Sequence, residues 1–151
     1  MRYFLCPVEQ FFLGVPEDAV AAIMIYSEGV TKTVSRYEGG DTFFSLPHFF
    51  GLADRTVRHG IILKSSKPGA SQNNGAASEP EEGARNILLV SSVEREADVP
   101  PEEIYSLPEL LLASGHLSFF TGIAFERSLM IALIDPAALI AQIFRMQGEP
   151  V

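Results

Sequence analysis

The chain is poor in cysteine and in cations. Cys6 is the single cysteine among 151 residues, which excludes an internal disulfide and a zinc site built from several thiolates. Set in an apolar stretch, it reads as a small core hydrophobe. Lys and Arg number 11 against 19 Asp and Glu, a formal net charge of −8. Such a surface repels phosphates, so nucleic acid and anionic lipid are poor main partners. Long apolar runs are missing as well. LMIALI at 129–134 is too short to span a bilayer, and the opening MRYFLCPVEQFFLGV is broken by Pro7, Glu9 and Gln10, so it is neither a clean signal peptide nor a membrane span. Direct membrane insertion is not expected, and the expected compartment is the cytoplasm.

Catalytic signatures are also lacking. His48, His59 and His116 stand far apart, with no ligand spacing, so no metal is expected. There is no G-x-S-x-G elbow, no phosphate loop and no dinucleotide fingerprint, so no cofactor is expected either. Glu94, Glu96, Asp98, Glu102 and Glu103 crowd one turn region, where carboxylates read as a solvated surface rather than an acid–base pair.

What remains is a succession of short apolar segments punctuated by turns. RYFLC (2–6) and QFFLGV (10–15) read as two strands about a turn. Pro16-Glu17-Asp18 then opens a segment whose Val20, Ile23, Met24, Ile25 and Tyr26 suit a helix or a strand. Glu38-Gly39-Gly40-Asp41 is a strong turn before a strand TFFSL (42–46), with Pro47 as breaker and Gly51 as stop. HGIILK (59–64) and NILLVSSV (86–93) read as strands of one sheet. Between them, residues 65–85 contain no Val, Ile, Leu or aromatic and read as a flexible loop within a single domain, 1–151. GHLSFFTGIAF reads as a strand pair or a strand bent at Gly122, and SLMIALI (128–134) as a buried strand. Asp135-Pro136 then starts a helix whose Leu139, Ile140, Ile143 and Phe144 form an apolar stripe, with Gly148 as its stop. Phe pairs recur at 11–12, 43–44, 49–50 and 119–120. Adjacent strand residues face opposite ways, so one ring of each pair fills a core while the other turns to a second layer or a partner.

Four stretches together resemble the CheW-like family of chemotaxis coupling domains: RYFLCPVEQFFLGVPEDAVAAIM, FFSLPHFFGL, NILLVSSVEREADVPPEEIYSLPELL and FFTGIAFERSLMIALIDPAALI. The family's G-x-x-N-L-R-G run is replaced here by VSRYEGGD, Ser91 stands for the Asp of its LVDEV, and Ser45 for the Asp before its leucine tail. The resemblance implies a mostly β fold of two small five-stranded SH3-like barrels with a C-terminal helix. It implies no active site, but an adaptor that links chemoreceptors to a CheA-like histidine kinase through exposed apolar surface. The expected contact residues are Val30, Val34, Arg36, Phe43 and Phe44. Two other readings stand beside it: a small-molecule-binding or enzymatic β domain with a groove between barrels, and a homo-oligomerising structural protein.

Overall fold

The computed structural model describes residues 1–30, 35–52, 56–64, 85–107 and 118–146, with backbone only at 27–30 and 36. In chain order the elements are β1 (Arg2–Val8), β2 (Phe11–Pro16), β3 (Val20–Val30), β4 (Ser35–Glu38), β5 (Asp41–Ser45), α1 (Leu46–Phe49), β6 (Thr56–Leu63), β7 (Asn86–Val90), β8 (Arg95–Asp98), β9 (Phe120–Glu126), β10 (Leu129–Ile134) and α2 (Pro136–Met146). Short 3-10 turns occupy Glu17–Ala19 and Pro101–Glu103. The ambiguous segment after Pro16 is a strand. Its acids fill the 3-10 turn, and its branched apolar residues take the ladder.

The chain divides into two compact units, Met1–Asp18 with Ser91–Val151, and Ala19–Val90. Each holds a five-stranded sheet, ordered β8-β1-β2-β10-β9 in the first and β3-β6-β7-β5-β4 in the second. The mostly β architecture with two five-stranded halves and a C-terminal helix is therefore as expected. Both sheets have one parallel pair, β2 with β10 and β7 with β5, among antiparallel pairs. In each unit the strand after a tight hairpin leads directly into a helix, β5 into α1 and β10 into α2.

In the first unit the inward row runs Leu5, Gly14, Leu133, Gly122 across four strands. Tyr3, Leu5, Ala97, Val99, Ala124, Ile131 and Leu133 form the core, with Phe12 and Ile104 packed on it. The two end strands of the order, β8 and β9, are linked by an ion pair of Arg95 with Glu126. That contact requires the sheet to curl upon itself, as a small barrel does. Asp135 caps α2 as expected, accepting from the Ala137 N–H at 3.1 Å. Leu139, Ile140 and Ile143 are buried, but Phe144 is 36% exposed and Gln142 takes a buried position instead. The helical stripe is thus narrower than the four apolar residues imply. Gly148 lies outside the described residues.

In the second unit Tyr26, Val57, Ile62, Ile87 and Leu89 form one cluster, joined by Ala21, Met24 and Phe43. The alternate residues Phe44, Ile61 and Leu88 are fully buried on the opposite face. Tyr26 on β3 meets Phe43 on β5 at a centroid distance of 5.9 Å, so this sheet curls too. Pro47 does not simply break the chain: it sits in the first turn of α1, where its missing N–H costs nothing. Ser45 caps that helix, its Oγ accepting from the His48 N–H at 3.3 Å.

An ion pair between buried Asp41 and half-buried Arg85 holds the start of β5. Asp41 accepts from the Arg85 guanidinium at 2.7 Å and from the Arg85 backbone N–H at 3.1 Å, while the Thr42 N–H donates to the Arg85 carbonyl at 2.9 Å. Arg85, just before β7, is therefore tied to the start of β5 by its side chain and its backbone. Residues 65–84 lie outside the described residues. Their flanks, Lys64 and Arg85, adjoin the antiparallel β6–β7 ladder, which pairs Ile62 with Ile87.

Arg85→Ala removes the guanidinium from buried Asp41 but keeps the backbone N–H bond and should lower stability by about 1–3 kcal/mol, whereas Asp41→Asn keeps an acceptor and should cost less; urea midpoints of the two variants measure the difference. Replacing 65–84 by a short Gly-Ser turn while keeping Arg85 should move stability by only ~1 kcal/mol, because closure entropy varies logarithmically with length. Burial pushes the Cys6 thiol from 9.0 up to about 12. The native thiol should therefore react with a disulfide reagent at pH 8 at least about a thousandfold more slowly than in urea. For the same reason the native state should lose stability as pH rises from 9.0 toward about 12, where the unfolded thiol ionises first.

Candidate docking surface

Of the expected contact residues, Phe43 and Phe44 are the two with described side chains, and neither lies open on the surface. Phe44 is fully buried in the second unit and has no area to offer a partner. It is the inward ring of its pair. Phe43, the other ring, is partly buried against Tyr26 and the Val57–Ile87 cluster, so it turns to a second layer within the same unit. Val30 ends β3 and Arg36 pairs with Phe43 in the β4–β5 ladder, both described by backbone only. Val34 lies outside the described residues. What β3 does expose is Ile25, 82% accessible, with Ile23 two residues before it on the same face. Ile25 stands opposite His59 on β6.

The first unit carries a surface that the sequence reading missed. One row of residues crosses its sheet on the outward face: Cys6, Leu13, Ala132, Ile123 and, through an isolated bridge, Tyr105. Cys6 and Leu13 are buried, and exposure grows toward Tyr105, which is 61% accessible. Phe125, two residues along β9 from Ile123 and so on the same face, is 60% accessible. The two rings meet edge to face with centroids 6.2 Å apart, a diagonal cross-strand pair. Met130 faces Phe125 directly across the β9–β10 ladder.

Local chemistry fixes this arrangement. The Tyr105 N–H donates to the Ile123 carbonyl at 2.8 Å, and the Ile123 N–H returns to the Tyr105 carbonyl at 2.9 Å. The approach depends on Gly122, where a Cβ would fall 2.5 Å from Ile104 Cγ2 and 3.2 Å from the Tyr105 carbonyl oxygen. Beside it, β9 carries an extra residue relative to β10, between the Gly122–Leu133 and Phe120–Ile134 pairs. This bulge is the bend expected near Gly122. The hairpin that follows turns at Arg127 and Ser128, both with positive φ, the backbone pattern of a two-residue type I′ loop. Gly39 and Gly40 make the equivalent turn between β4 and β5. Counting back from each turn, Phe125 and Tyr37 occupy the same place, and Tyr37 is 73% exposed.

Electrostatics around the patch are acidic. Glu102 and Glu103 are exposed on the 3-10 turn immediately before Tyr105. Glu126 is engaged by Arg95, and Arg127 sits at the hairpin turn. The other acids of this region lie on the β1–β8 side. Asp98 holds the N-terminal amine at 3.3 Å and Glu96 holds Arg2 at 3.4 Å. A hydrogen bond with Glu96 also raises the pKa of the Glu17 carboxyl. Among the described residues no group of three or more His, Cys, Asp or Glu could hold a metal, and no helix is long and apolar enough to cross a membrane. His116 and the Leu110–Leu112 loop lie outside the described residues.

No family model matches the chain, and no curated protein does. Among solved structures it is similar to the scaffolding protein TtCheW from Thermoanaerobacter tengcongensis, with a TM-score of 0.58 and 16% identity, over 89% of this chain and 83% of that one. At that identity the likeness speaks to architecture, and it agrees with the two five-stranded sheets and terminal helix described above: the fold of this chain is CheW-like.

Proposed function

We propose that the chain is a non-enzymatic adaptor of the chemotaxis type, linking chemoreceptors to a CheA-like histidine kinase by packing of apolar surface. The observation that carries this reading is the CheW-like fold along 89% of the chain. The side chains support it: each unit exposes large apolar residues, Ile23 and Ile25 in one and Tyr105 and Phe125 in the other. Isolated exposed hydrophobes are ordinary, but neighbouring ones on one sheet face suit a contact surface. In the second unit the proposed contact segment runs from β3 into β4 and includes Ile25, Val30, Val34 and Arg36. Phe44 acts there only as core. An adaptor of this kind works where the kinase and receptor tips are, in the cytoplasm.

Titration of the purified protein against the regulatory domain of a histidine kinase and against receptor tips from the source organism tests the reading. At least one should bind at micromolar concentration or tighter, and Ile25→Asp should weaken that contact about tenfold, or 1.4 kcal/mol. Absence of micromolar binding to every such kinase and receptor would sink it.

A further inference from the structure

We infer that the Tyr105–Phe125 face of the first unit docks a protein segment that presents a cationic side chain beside an apolar one. The inference rests on the adaptor reading for there being a protein partner, and it adds that partner's chemistry.

Three features converge on one spot. Two aromatic rings stand about three-fifths exposed in edge-to-face contact, with Ile123 and Met130 on the same sheet face. Their support is rigid: a two-hydrogen-bond bridge and a glycine that only a bare backbone can replace. An aromatic pair so held loses little entropy when covered, which is what an interface centre requires. The third feature is charge. Glu103 and Glu102 stand exposed on the 3-10 turn two and three residues before Tyr105, Glu126 is already matched by Arg95, and the whole chain carries −8.

This balance selects the occupant. A second copy would bring acids against acids, and an anionic lipid surface would be repelled in the same way. Aromatic faces with carboxylates beside them attract Lys or Arg, and the methylene stems of those side chains can lie along the rings. Arg127, at the end of the hairpin, opposes a cation placed over the turn, so the cation belongs at the Tyr105 end, beside Glu102 and Glu103.

The test uses the full chain with three variants. Tyr105→Ala combined with Phe125→Ala removes the rings without changing charge. Glu103→Lys changes charge without touching the rings, and Glu38→Lys applies the same change to the other unit. Binding is read by titration of the kinase regulatory domain and the receptor tip. It is also read with two fluorescent amphipathic peptides that share a Leu pattern, one carrying Lys and one Glu. The ring variant should keep its unfolding midpoint and bind the partner and the Lys peptide at least about tenfold more weakly. Glu103→Lys should weaken both about fivefold and Glu38→Lys less than about twofold. Undiminished binding by the ring variant overturns the proposal while the adaptor reading stands. Equal or tighter binding by Glu103→Lys overturns the cationic occupant. If neither kinase nor receptor binds the native chain, the adaptor reading fails; the proposal then falls with it unless the Lys peptide still separates the native chain from the ring variant.

Discussion

The first unit depends on a parallel contact between residues far apart in the chain. Phe12, Leu13 and Gly14 of β2 lie beside Ile131, Ala132 and Leu133 of β10. Without that contact the β1–β2 hairpin has one neighbour, β8, and a short hairpin is at best marginal in water. With it, the inward row from Leu5 to Gly122 is continuous, and the outward row reaches Tyr105. The fit is tight: a Cβ on Gly14 would stand 2.7 Å from Leu133 Cδ2. The second unit makes the matching contact between β5 and β7, where Asp41 and Arg85 fix the register from one end.

The two sheets repeat one plan. Read as β3, then β4–β5 and a helix, then β6–β7, the second unit is contiguous. The first has the same sequence of parts, β8, then β9–β10 and a helix, then a hairpin, except that the last hairpin comes from the beginning of the chain. The turns correspond, Gly39-Gly40 with Arg127-Ser128, and so do the exposed aromatics before them. The α2 cap and the α1 cap likewise follow matching strands.

Much of this plan was legible in the residues. Apolar runs such as NILLV and LMIALI read as strands, and Ile87–Val90 and Ile131–Ile134 are buried on both faces, while Asp135-Pro136 marks a helix start by chemistry alone. The Gly-Gly turn announces its hairpin. The Arg127-Ser128 turn does not, because neither residue favours positive φ, and only the tertiary ladder holds them there. The docking face was hidden for a related reason. Tyr105 stands in an acidic, proline-broken stretch that reads as loop, and its place beside Phe125 comes from a single bridge between residues 18 positions apart. Gly122 was the available clue, a glycine within an otherwise apolar strand. Alternation along a strand says that the rings of Phe43 and Phe44 face apart, not that either face is bare. Here β5 has cover on both sides.

The swapped hairpin has a consequence for how a cell makes this protein. Residues 19–90 are complete as a unit when Val90 leaves the ribosome, but β1 and β2 must wait for β10. At ordinary translation speeds the interval is on the order of ten seconds. Throughout it Leu13 and Val15, fully buried in the finished fold, lie on a nascent strand lacking its final neighbour. Slowing synthesis before residue 129 lengthens that exposure.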